Sequence, residues 1–378
     1  MRLSCDDLPM FFDEPHRALA ERLRACTPVF DALEQSSHDE STRDRAAASL
    51  LAEHGLFEIA CAAKPDARAL CLAREALGYA SARADSIFAV QGLGVHPIVL
   101  AGNDAQRAQL PAFARGAGIA AFAVTEPEAG SDVASIQTRA AACADGYRLD
   151  GDKLFISNLG IADHATVIAS TEPSLGSGGL TAFWVPLDAP GVTVRPMTAI
   201  APHPIGALAL RGAIVPASAR IGEVGDGMKL AMKTLDAFRV SVGAAAVGMA
   251  RRALDEAIGF CARRIQFGKL LGEHQLVQAH LADMAVDLDA ARLLVLRAAY
   301  LRDTGARATT EVSIAKLGAT EAAQRVIDRA VQLLGGRGVM VGAVVERLYR
   351  AIRPLRIYEG TSEIQRAIIG KALVQGAK

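Results

Sequence analysis

The sequence carries no excess charge of either sign: across 378 residues, 41 lysines and arginines balance 41 aspartates and glutamates. That balance excludes a strongly basic nucleic-acid binder and an acidic-tail protein. No apolar run approaches the ~18 residues that span a bilayer. Met1–Phe12 holds Asp6, Asp7 and Pro9 where a secretory leader would be basic and then apolar. A cytoplasmic protein with neither a membrane nor a nucleic-acid partner is therefore expected. Cysteine is sparse. Cys5, Cys26, Cys61, Cys71, Cys143 and Cys261 include no C-x-x-C pair, so zinc knuckles and thioredoxin-type motifs are excluded, and the thiols read as free or buried in a reducing compartment. No bound metal is expected.

Common catalytic signatures are missing too. There is no H-E-x-x-H, and His274 and His280 are six apart, the wrong spacing for a metal pair on one helical face. Ser241 follows Arg239-Val240, so it is not a G-x-S-x-G nucleophile elbow. No phosphate-binding P-loop occurs. Gly92-Leu93-Gly94 and Gly336-Arg337-Gly338 lack the third glycine of a dinucleotide fingerprint and follow no βαβ pattern, which disfavours a nicotinamide-binding Rossmann enzyme.

What is present falls into three textures. Residues 1–117 read as helical, with alanine- and leucine-rich amphipathic stretches at 18–33, 43–54 and 67–82. Residues 118–222 turn to short, partly alternating segments separated by glycine, proline and aspartate, an all-β signature. Asp145-Gly146 and Asp150-Gly151 are hairpin-type dipeptides there. Residues 223–378 return to long helices. Val277, Leu281, Met284, Leu288, Ala291, Val295 and Ala298 step by four and three, a coiled-coil-like seam. Gly243 to Gly248 is rich in small residues that let a neighbouring backbone approach. The expected fold is α+β, mainly α: an N-terminal helical domain, a middle β-barrel or sandwich, and a C-terminal four-helix bundle. Arg347, Arg350, Arg353 and Arg356 recur every third residue. With Pro354 expected to break any single helix through them, they read as paired or subunit-contact residues rather than a nucleic-acid stripe.

Two segments carry candidate chemistry. In Val124–Asp132, Gly130-Ser131 offers backbone amides beside a hydroxyl, a small anion nest or an ordinary turn. In Ile357–Gln365, Glu359 lies in a loop before a helix that Thr361 would cap. Flanked by Ile357 and Tyr358, its carboxyl is either desolvated and more basic or a solvated loop glutamate; spacing alone favours the solvated form.

Taken with Asp152–Asn158 and Arg264–Gly268, these segments closely resemble, in order and spacing, the acyl-CoA dehydrogenase family. The resemblance extends over roughly residues 15–375 and includes Ala101–Asp104, Gln275, Leu281–Met284 and Val331–Gly336. It implies FAD-dependent α,β-dehydrogenation of an acyl-CoA. Glu359 would take the α-proton, a hydride would pass to flavin N5, and the Glu359 amide with a flavin hydroxyl would polarise the thioester oxygen. The bundle-helix position where some members place their glutamate is Phe238. For FAD, the resemblance assigns Thr125, Ser131, Phe155 and Ser157, with Phe155-Ile-Ser157 standing where many members have Trp-Ile-Thr. Arg264, Phe267, Gln275, Gln332, Gly335 and Gly336 would reach a neighbouring subunit's FAD, and Thr361 and Glu363 that of their own. Ser131, Asp236, Arg239, Tyr358, Gly360 and Lys371 match substrate positions. A homotetramer or homodimer and an electron-transfer flavoprotein acceptor are further implications. The polar Gln91 and His96, in a slightly short 90–97 segment, lean toward a short or branched acyl group. A carrier-protein-bound acyl group, an oxidase or monooxygenase, and a non-catalytic scaffold are the alternatives.

Overall fold

The computed structural model describes residues 1–376, which gather into two compact units, each drawn from separated stretches of chain. One contains residues 37–65 and 86–238; the other contains residues 1–36, 66–85 and 239–378.

The first unit is built on a sheet. Its strands are β1 (Ala120–Ala123), β2 (Arg139–Cys143), β3 (Gly146–Ser157), β4 (His164–Ser170), β5 (Leu180–Pro186), β6 (Val192–Pro196), β7 (Ile205–Val215) and β8 (Arg220–Ile221). Their order is β6-β7-β3-β2-β4-β5-β8, with β1 parallel to β4. Alternate residues such as Leu149, Ala165, Val167, Phe183, Val185, Leu208 and Leu210 fill one apolar core. Asp145-Gly146 makes the expected hairpin: Cys143 pairs Gly146. Gly146 is left-handed (φ +129°), and a Cβ there would fall 2.3 Å from the Val215 carbonyl oxygen. Asp150-Gly151 is no turn. It lies inside β3, where the register with β7 shifts between Leu149 and Asp150, a bulge in one continuous strand. Polar Gln91 is structural: its amide donates to the carbonyls of Phe113 and Gly118 (both 2.9 Å) and its oxygen accepts from Ala120 N (2.7 Å). That accounts for Gln91; His96, the other half of the hint about the acyl group, is buried with its ring edge-on to Phe238. Contrary to expectation, the helix Ala82–Ala101 is long and apolar enough to cross a membrane, its few polar residues interrupting the apolar run, but most of it is buried, as in a core helix.

The second unit is helical, with Glu14–Glu34, Ala67–Ala80, Gln275–Asp303, Thr309–Leu334, Val344–Leu355 and Ser362–Gly376, together with the part of Gly227–Cys261 from Arg239 onward. The predicted seam is buried from Met284 to Ala298, and its first two positions are half-buried. The small residues at 243–248 do admit a backbone: a Cβ on Gly248 would fall 2.0 Å from the Glu75 carbonyl oxygen, and one on Gly78 2.4 Å from that of Ala245. Helix Val344–Leu355 runs through Pro354 and carries Arg347, Arg350 and Arg353, contrary to the expected break, because a proline in the last turn forfeits only one hydrogen bond. Two of the four arginines form ion pairs, Arg350 with Glu346 and Arg356 with Glu321, and Arg347 donates to the Gly342 carbonyl.

Candidate active site

The loop after Pro354 is fixed before any ligand is considered. The amides of Ile357 and Tyr358 both donate to the Pro354 carbonyl (2.8 and 3.0 Å), and Ser362 N donates to Arg356 O (3.1 Å). Thr361 caps the next helix, its Oγ1 accepting from Ile364 N. Between these anchors, Glu359 and Gly360 are both left-handed (φ +52° and +91°), a costly conformation for glutamate that persists only where its surroundings over-determine it. Three side chains do so. Arg239 Nε donates to the Glu359 carbonyl (3.0 Å), Lys316 Nζ to that of Gly360 (2.8 Å), and the Gln365 amide to both.

The outcome is a half-buried glutamate with one carboxyl oxygen withdrawn from water. Glu359 Oε2 is buried with no hydrogen-bond partner among the described residues. Burial pushes the carboxyl above its ordinary range; the charges of Arg74, Arg239 and Lys316 oppose that rise, and Asp85 adds to it. Burial likewise pushes Lys316 down to about 8, against the Glu359 charge. Of the positions assigned above, Arg239, Tyr358, Glu359 and Gly360 meet here. Lys371 and Glu363 are exposed on the helix that follows, with Glu363 hydrogen-bonded to Thr361. Asp236 belongs to the other unit.

Thr125, Ser131, Phe155 and Ser157 belong to that other unit as well. The Thr125 carbonyl accepts from Leu154 N (2.9 Å), which ties its loop to β3. Below the loop, buried Lys153 donates to Glu126 Oε1 (2.7 Å) and to Val124 O (3.0 Å). The β3 bulge between Lys153 and Ile156 leaves Phe155 left-handed (φ +58°) and 57% exposed. Ser157 Oγ lies 3.2 Å from His203 Nε2. Beside Gly130 there is open space where a side chain would stand, and Ser131 is exposed. An uncovered aromatic face with hydroxyls and a glycine gap suits a flat heterocycle carrying a diphosphate, so this set fits FAD.

The remaining assigned residues, Arg264, Phe267, Gln275, Gln332, Gly335 and Gly336, all lie at the surface of the helical unit. Phe267 sits in a left-handed hairpin turn (φ +52°) and is 95% exposed.

Residues 121–212 match the family described as Acyl-CoA dehydrogenase, middle domain, and residues 225–374 match Acyl-CoA dehydrogenase, C-terminal domain. The chain is 40% identical, over 82% of its length and 81% of the relative's, to the probable acyl-CoA dehydrogenase FadE25 of Mycobacterium tuberculosis. It is 39% identical, over 74% and 75%, to CarC of the caffeyl-CoA reductase–Etf complex of Acetobacterium woodii. The solved butyryl-CoA dehydrogenase of Megasphaera elsdenii superposes with a TM-score of 0.88 at 32% identity, covering 96% of this chain and 99% of that one. The chain belongs to the acyl-CoA dehydrogenase family, FAD-dependent oxidoreductases acting on acyl-CoA.

Sequence reading missed Arg74, Asp85 and Lys316. A signal existed for Arg74: it falls on the stripe Leu70, Arg74, Leu77 that faces the core.

Proposed function

We propose that this enzyme desaturates the α,β-bond of a short or branched acyl-CoA, with Glu359 as the base for the α-proton. The unpartnered, buried Oε2 carries the reading. A base that already accepted a hydrogen bond would have to break it to take a proton, and one in bulk water would be too weak. FAD, when bound, supplies the hydride acceptor that no side chain offers. Thr125, Ser131, Phe155 and Ser157 would hold it. Glu359 binds the proton at Oε2; Arg239, Lys316 and Gln365 keep the turn from shifting as it does so. Arg239, Asp236, Ser131, Tyr358, Gly360 and Lys371 would bind and orient the thioester. The likeness to a butyryl-CoA dehydrogenase supports a short acyl group.

The domain reading we propose is 1–117, 118–222 and 223–378; the matched family segments 121–212 and 225–374 support its two inner boundaries. The Etf-complex relative supports an electron-transfer flavoprotein as acceptor; a cytoplasmic location is part of the same proposal. The exposed apolar residues Phe267, Leu276 and Val341 support a homotetramer or homodimer in which Arg264, Phe267, Gln275, Gln332, Gly335 and Gly336 approach a neighbour's cofactor, with Thr361 and Glu363 near their own. Sedimentation of the holoenzyme at monomer mass would refute it.

The substrate test is anaerobic bleaching of the flavin by butyryl-, isobutyryl-, octanoyl- and palmitoyl-CoA, with peroxide followed in air. Fastest bleaching by butyryl- or isobutyryl-CoA with little peroxide is expected. Bleaching by palmitoyl-CoA alone would overturn the acyl length, stoichiometric peroxide would make the enzyme an oxidase, and bleaching only by a carrier-protein thioester would replace coenzyme A.

A further inference from the structure

The flavin-suited face of the sheet-bearing unit carries a hydrogen bond whose direction its surroundings dictate. His203 lies on the connection between β6 and β7, and its Nδ1 stands 2.8 Å from the Ala201 carbonyl oxygen. A carbonyl oxygen only accepts, so Nδ1 is the nitrogen that carries the proton. In the neutral ring that leaves a lone pair on Nε2, 3.2 Å from Ser157 Oγ. The Ser157 hydroxyl therefore donates to His203. A serine has a single proton to give, so toward any other group the Ser157 oxygen can only accept.

The chain holds this arrangement stiffly. His203 stands between Pro202 and Pro204, and a residue before proline favours extended backbone. The Pro204 carbonyl accepts from the amide of Asn158, the residue after Ser157 (2.7 Å). Asn158 is buried and left-handed (φ +68°), and its Nδ2 donates to the carbonyls of Ala120 (3.0 Å) and Ile87 (3.3 Å). Ser157 ends β3 and pairs with Ile205 at the start of β7, so both partners are tied to one point of the sheet.

A hydroxyl beside a flavin ring can act in two ways. Donating, it favours the oxidised ring, whose nitrogens offer lone pairs. Accepting, it favours the reduced ring, on which reduction places an N–H. Hydrogen bonds to ring nitrogens are among the levers by which a protein tunes such a cofactor. A serine without His203 could turn its proton to the ring and serve either state; with His203 it serves only the reduced one.

We infer that His203 is a positioning residue for the cofactor: by holding the Ser157 proton it makes Ser157 an acceptor toward FAD, so that reduced FAD gains in binding over oxidised FAD. The inference rests on the reading that Ser157 lies against FAD.

The test is the two-electron midpoint potential of bound FAD, measured without substrate by anaerobic dye-equilibrium titration in a double-mutant cycle. His203→Phe keeps a ring of similar shape but has no lone pair to offer. It is expected to shift the balance from reduced toward oxidised FAD by about three- to tenfold, the size of one hydrogen bond, which is about 15–30 mV downward for a two-electron couple. Ser157→Ala should lower the potential as well, and adding His203→Phe to it should change nothing further. A ring that merely packs the loop would move the potential equally in both backgrounds. Should a single variant fail to take up FAD, His203→Ala and Ser157→Gly complete the same cycle. A potential in His203→Phe that stays put or rises, or a shift that is the same with and without Ser157, overturns the inference. Failure of the underlying reading looks different: Ser157→Ala would then keep both the wild-type potential and the wild-type FAD affinity.

Discussion

Glu359→Gln is expected to bind FAD and stay yellow yet lose at least ~100-fold in the rate at which acyl-CoA bleaches the flavin, the usual size of a general-base contribution. The turn should survive, because Arg239, Lys316 and Gln365 hold its main-chain carbonyls and not the carboxyl. The glutamine amide has nearly the same shape but no site for the α-proton. Stopped-flow anaerobic mixing checks this. Bleaching within a fewfold of wild type, with FAD affinity unchanged, would remove Glu359 from the mechanism. The wild-type rate should also fall as pH drops through the Glu359 pKa, since only the ionised carboxylate accepts a proton, and burial places that fall above the ordinary carboxyl range.

Lys153→Met should cost about 3–5 kcal/mol of stability, the typical consequence of stripping one partner from a buried ion pair. Lys153 and Glu126 are both buried, and Glu126 also accepts from Gln137 N, Thr138 N and Thr138 Oγ1. Burial alone would raise the Glu126 carboxyl, but Lys153 and these donors hold it below its usual range. In the wild type this stabilises the fold above the normal glutamate pKa and fades as pH falls through the lower folded value. The variant inverts the sign: its Glu126 carboxyl rises, so mild acid should stabilise it. Melting curves across pH separate the two behaviours. The double variant Glu126→Gln/Lys153→Met should recover much of the loss. An equally unstable double variant would show that Lys153 acts through packing alone. Because Thr125 sits between Val124 and Glu126, FAD affinity should weaken with the single variant.

Features set by local chemistry were legible in the sequence. The seam from Met284 to Ala298, the cap at Thr361 and the Asp145-Gly146 turn depend on spacing or on one residue's backbone preference. Features set by distant partners were not. β7, Ile205–Val215, is rich in alanine and glycine, which have little strand preference, and it is a strand because β3 and β6 pair with it. Asp150-Gly151 has the composition of a turn, but its neighbours hold it in a ladder. Of the candidate site, the motif residues and Arg239 could be named, while Arg74 and Lys316 come from helices far apart in sequence and share no motif.

The helical unit is stitched from three stretches, the last beginning at Arg239, whereas all of the sheet-bearing unit precedes it. A ribosome therefore releases everything the sheet needs while the first two helical stretches still lack Met284, Leu288 and Lys316, and those stretches wait with Arg74 and Glu75 on apolar surfaces awaiting cover. Nascent chains stalled near residue 240 should be the species that chaperones hold and proteases trim, and the carboxylate at 359 takes its place only after the helices that carry Arg74, Arg239 and Lys316 have been made.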